Sequence, residues 1–162
     1  MAINTPYGQN NPITTYQHWH INSDFTGSAE PISNWSICDD SSEGIGTGLT
    51  HSSGIFTFPS TGKWFIQWNY NCYIAGVDQS YAGMYFYLTT NAGSSYNHTA
   101  HTYTANGYGY SAGASFYFLD VTNISNIKFK FVIHASGGSN TTTQSKTNGS
   151  STGFIVQRVG DT

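Results

Sequence analysis

Residues 109–113 read Gly-Tyr-Ser-Ala-Gly, the G-x-S-x-G spacing of a nucleophile elbow, and Asp120 and His134 follow in the chain order of a hydrolase triad. That chemistry needs a strand–turn–helix bend that lifts the serine oxygen above a parallel sheet. No helical period follows Gly113, so the segment reads as a glycine-loosened strand. His18 and His20 flank Trp19 and share one face of an extended segment, while His98 and His101 form a second close pair. Two imidazoles fall short of the three or four ligands that a zinc site takes from one chain. Asp39, Asp40 and Glu43 crowd one loop and could hold calcium through carboxylate oxygens, although the EF-hand spacing is absent. A solvated acidic turn is the simpler reading of that loop, and calcium stays an open alternative. Gly44, Gly46 and Gly48 lack the following helix that would make them a phosphate loop. The residue types therefore predict no catalytic residue, no metal ligand and no cofactor.

Charge narrows the function further. Only 8% of the 162 residues are charged, against about 25% in ordinary soluble proteins, and the formal charge is −3. Five Lys and Arg cannot supply a phosphate-neutralising footprint, which argues against DNA or RNA as a partner. No run approaches the roughly 18 apolar residues of a membrane helix. The first residues, Met1-Ala2-Ile3-Asn4-Thr5-Pro6, have neither the basic start nor the apolar run of a signal peptide, so an unsecreted chain is expected. Cys38 and Cys72 are then expected as reduced thiols rather than a pair.

The element that organises the rest is Gly54–Tyr73. Ile55 to Phe58 reads as a strand, Pro59-Ser60-Thr61-Gly62 as a turn, and Lys63 to Tyr73 as a long strand. Trp64, Ile66, Trp68, Tyr70 and Cys72 share one face there, which is the period-two pattern of a strand on a core. Phe65 and Tyr73 interrupt the opposite, polar face and suggest that it too is covered, by another copy of the chain. Tyr16–Ile21, Tyr81–Thr90, Ala114–Val121, Ile127–Ala135 and Gly153–Val159 are further strands, with a long polar loop over 137–151. Residues 96–113 are too glycine-rich to assign. No stretch keeps a helical period for ten or twelve residues. The prediction is an all-β, jelly-roll β-sandwich of two antiparallel sheets over residues 16–162, preceded by an extended Pro- and Asn-rich arm over residues 1–15.

The spacing Gly54, Phe56, Pro59, Gly62, Trp64, Phe65, Ile66 resembles the B–C hairpin of the tumour necrosis factor / complement subcomponent q globular-head superfamily. Thr152-Gly153-Phe154-Ile155-Val156 is similar to that family's closing strand, although Ser151 stands where the family usually carries Phe. The resemblance implies a homotrimer in which the edge of each sandwich packs on a neighbour's face. Neither a collagen nor a heptad stalk is visible, so the subunits would associate through their own faces. Tyrosine concentrates at protein interfaces, because it buries area while keeping a polar tip. Phe65, Tyr73, Tyr85, Tyr87 and Tyr117 are the expected subunit contacts.

A stalkless, sparsely charged jelly roll with an arm reads as a virion component, a trimeric capsid decoration or cement protein of a tailed bacteriophage. Ile3, Pro6, Tyr7, Pro12 and Ile13 of the arm would anchor it to the major capsid protein or another virion protein. Its place would be the virion, assembled in the host cytoplasm. The alternative is a receptor-binding knob of a tail fibre that stacks host glycans on Tyr96, Tyr103, Tyr108 and Tyr110.

Overall fold

In the computed structural model the residues described are 13–38, 44–76, 81–104, 107–146 and 151–162. Ile3, Pro6, Tyr7, Pro12, Asp39, Asp40 and Glu43 lie outside them. The strands in chain order are β1 (Thr15–Ile21), β2 (Phe25–Thr26), β3 (Trp35–Ile37), β4 (Thr50–Ser52), β5 (Ile55–Thr57), β6 (Gly62–Ile74), β7 (Ala82–Thr89), β8 (Asn97–Thr104), β9 (Gly109–Val121), β10 (Lys128–Ala135), β11 (Thr141–Thr143) and β12 (Gly153–Gly160). Every pairing between them is antiparallel.

β6 is the spine because its alternation survives for its full length. Its inward residues Trp64, Ile66, Trp68, Tyr70, Cys72 and Ile74 are all buried. β9 lies along one edge of β6 from Gly62↔Val121 to Ile74↔Gly109. The other edge is shared end to end by β12, which leads on to β1 and β3, and by β11, which leads on to β2. The second sheet has the order β4-β5-β10-β7-β8. Its inward residues Met84, Phe86, Phe129, Phe131 and Ile133 close the sandwich. Trp68 of the β6 sheet stacks on Phe86 of the β7 sheet with ring centroids 5.6 Å apart, and Phe154 meets Phe131 at 5.1 Å. Each of these rings is worth about 1.5–3 kcal/mol of burial, so the inter-sheet aromatic layer is the main source of cohesion.

Three segments differ from the sequence reading. Thr15, placed last in the arm, is buried as the first residue of β1. The unassigned stretch 96–113 supplies all of β8 and the first five residues of β9. The loop over 137–151 contains β11, which fills the edge of β6 beyond the end of β12. No disulfide joins Cys38 to Cys72, and Cys72 lies buried 3.6 Å from Thr104 Oγ1.

Candidate functional site

The hydrolase-like residues are not brought together. Ser111 pairs with Cys72 and shares its inward side, whereas Asp120 pairs with Lys63 nine residues along the same strand, about 30 Å away. His134 lies on the far side of the other sheet, its ring 4.5 Å from that of Tyr85. The glycines of the motif have a structural cause. Gly109 sits at φ +118°, and a Cβ on Gly113 would come within 2.9 Å of the Tyr103 carbonyl where β8 meets β9. Gly46 and Gly48 likewise let their loop lie against β1, where Gln17 Oε1 accepts the Leu49 N–H at 2.7 Å and the Trp19 indole N–H at 3.1 Å. The neighbouring His20 is buried beside the Ile21 carbonyl, and His18 has its pKa lowered by burial and then by His20. Among the described residues no group of three or more His, Cys, Asp and Glu is arranged to hold a metal ion.

What the fold does assemble is two aromatic faces on opposite sides of the sandwich. On the outer face of the β6 sheet, Phe65 packs against Phe118 at 4.9 Å and Phe116 at 6.0 Å. Phe116 and Phe118 are 59% and 62% exposed, which is exceptional for phenylalanine. A cleft of about 420 Å³ runs beside them, lined by Lys63, Phe118, Leu119, Asp120 and Val159. At the other end of the same face, about 26 Å along β6, Tyr73 donates its Oη–H to Tyr108 Oη at 3.0 Å and packs against Tyr110. That hydrogen bond is the main reason the Tyr73 phenol is harder to ionise than usual. Tyr108 and Tyr110 are 70% and 79% exposed, and a groove of about 260 Å³ beside them is lined by Asn71, Tyr110, Gln144 and Ser151 among others.

The outer face of the β7 sheet is built differently. Tyr85 is only 7% exposed, covered by its own neighbours. It donates its hydroxyl to Tyr103 Oη at 2.9 Å, and its ring contacts those of His98, His101 and His134. Burial, and then the bond to Tyr103, pushes its pKa up. The Lys130 ammonium lies 5.5 Å over the Tyr87 ring and 4.8 Å over the Tyr96 ring while pairing with Glu30 at 3.0 Å. A β-bulge in β8 brings these groups into line. Phe86 opposes Ala100 but Tyr87 opposes His98, so Thr99 is the extra residue, and His98 lands on the same outer face as His101 and Tyr103.

The expected subunit contacts therefore do not form one surface. Phe65 and Tyr73 lie on the β6 face, and Tyr85 and Tyr87 lie on the β7 face. Tyr117 points inward and packs 5.4 Å from Phe86, because it pairs with Ile66 on the buried side of β6. Phe116 and Phe118, its neighbours in sequence, take the outward positions. The four glycan candidates divide in the same way, Tyr108 and Tyr110 on the β6 face and Tyr96 and Tyr103 on the β7 side. Ile13, the described residue of the arm set, is exposed.

With the geometry in hand, comparison with solved structures places the fold. The chain is similar to murine APRIL at pH 5.0, with a TM-score of 0.64, 11% identity, and coverage of 90% of this chain and 98% of that one. It is similar to Eiger TNF from S. frugiperda, with a TM-score of 0.64, 12% identity, and coverage of 93% and 96%. These are TNF-family jelly-roll structures, and at such identity the likeness is one of fold. No family model and no curated protein matches the chain.

Proposed function

We propose that the chain is a non-enzymatic structural protein that associates as a homotrimer through the outer face of the β6 sheet. The carrying observation is the exposed pair Phe116 and Phe118 beside Phe65. Leaving two such rings about three-fifths in water forfeits about 1–2 kcal/mol for each, which a second copy recovers by covering them. The surroundings favour a copy over a charged partner, since Lys63 opposes Asp120 across β6 and β9 and the face carries little net field.

The trimer serves as a decoration or cement protein on the capsid of a tailed bacteriophage. Chain order supports this. Thr15 pairs with Arg158, which pairs with Trp64, so β1 begins at the Phe65 end and the Tyr73–Tyr108–Tyr110 end lies opposite. The arm then holds the capsid while the tyrosine end faces outward. A chain lacking residues 1–12 should still associate but fail to bind capsids that carry no copy of this protein. Retention of capsid binding by that truncation would refute the anchoring role.

A second reading has its own observation. Tyr108 and Tyr110 form an exposed, uncharged aromatic platform beside the amides of Asn71 and Gln144, which suits a sugar ring stacked on tyrosine. Specific signals on a glycan array, lost with Tyr110→Ala, would favour a receptor-binding knob. Copy number separates the two, since decoration requires hundreds of chains per particle and a fibre tip a handful.

A further inference from the structure

The bulge at Thr99 does more than straighten the aromatic face. It places two imidazoles that are three residues apart on one side of a strand, an arrangement that unbroken alternation forbids. His98 Nε2 and His101 Nδ1 are 3.1 Å apart, and both side chains are exposed. One of the two facing nitrogens carries a lone pair, and which one it is depends on the tautomer.

We infer that His98 and His101 form an open two-imidazole site for a borderline divalent cation of the zinc, nickel or copper class. Zinc–imidazole bonds of about 2.0–2.1 Å at a tetrahedral angle set the two nitrogens about 3.4 Å apart, so the observed spacing need widen by only a few tenths of an ångström. The ion takes the place of the proton held between the rings. Imidazole ligation suits these metals, whereas magnesium and calcium prefer oxygen ligands. No third His, Cys, Asp or Glu completes the set among the described residues. The remaining positions are open to water or to a donor carried by another molecule docked on the β7 face. That face is the one left exposed by association through β6, so the inference is independent of the trimer.

The test is calorimetric titration of the full chain with zinc chloride at pH 7, with ¹⁵N imidazole spectra recorded in parallel. One ion per chain should bind, with the His98 Nε2 and His101 Nδ1 resonances shifting together. Affinity should fall about tenfold or more in His98→Ala or His101→Ala, and should hold within about twofold in His18→Ala, which removes the other histidine pair. Both β8 substitutions are at exposed positions, and the wild-type spectra identify the ligating atoms without any variant. Absence of zinc binding, unchanged His98 and His101 resonances, or a loss of affinity confined to His18→Ala would overturn the assignment.

Discussion

Both outer faces of this sandwich carry clustered rings, and the Phe65 end of the β6 face uses them in the opposite way to the β7 face. On the β7 face the rings cover one another. Tyr85 is buried under Tyr103 and three histidines, its hydroxyl is bonded, and the polar tips meet water. On the β6 face Phe116 and Phe118 pack on Phe65 and on each other, stay largely exposed and carry no polar tip to offer solvent. The difference is one of residue type more than of number. Tyrosine and histidine build a face that is stable in water, and phenylalanine builds one that requires a cover.

The largest expected effect separates the faces outright. Replacing both Phe116 and Phe118 with Ser should weaken association by roughly 2–4 kcal/mol per chain, about one and a half to three decades, while the monomer keeps most of its thermal stability because both side chains are already largely exposed. Light scattering after size exclusion, with thermal melts alongside, measures both. Tyr85→Ala should do the reverse, costing about 3 kcal/mol of folding stability through the cavity it leaves, with the associated mass unchanged. Tyr85→Phe keeps the ring and removes only the hydrogen bond to Tyr103, a loss of about 1 kcal/mol in denaturant titration. A change of mass in either Tyr85 variant would break the division of labour.

The smallest effect concerns pH. His18 on the β6 face and His98 on the β7 face both have pKa values lowered from 6.5, chiefly by burial. The fold favours their neutral forms, so the unfolded chain takes up protons first as pH falls. Their contribution is complete above 6.5 and is lost as pH drops through the lowered values. Thermal stability should therefore decline from pH 7.5 to 5.5, and His98→Asn should flatten part of that decline without altering association.

How much of this was legible in the sequence depends on whether one face of each strand was polar. Lys63–Tyr73 and Ile127–Ala135 keep period two on their inward faces despite Phe65, Tyr73 and Val132 on the other, and both form strands with the expected inward sets. Phe116-Tyr117-Phe118 offers rings on both faces, so its phase cannot be read from those three residues. The signal lay two and four positions on, in Leu119 and Val121, which share Tyr117's parity and are buried. β8 was hidden for a different reason, since the bulge at Thr99 breaks the period that defines a strand. The division of the tyrosines between two sheets is set by pairing partners far apart in the chain, and local pattern carries no record of it.

The central claim is that the β6 face is covered by other copies of this chain. Sedimentation velocity of the wild-type chain, diluted from tens of micromolar to about one micromolar, tests it most directly. The account predicts a single species of three chain masses throughout, and a single-chain mass in the Phe116→Ser/Phe118→Ser variant. A wild-type species of one chain mass at micromolar concentration would contradict it.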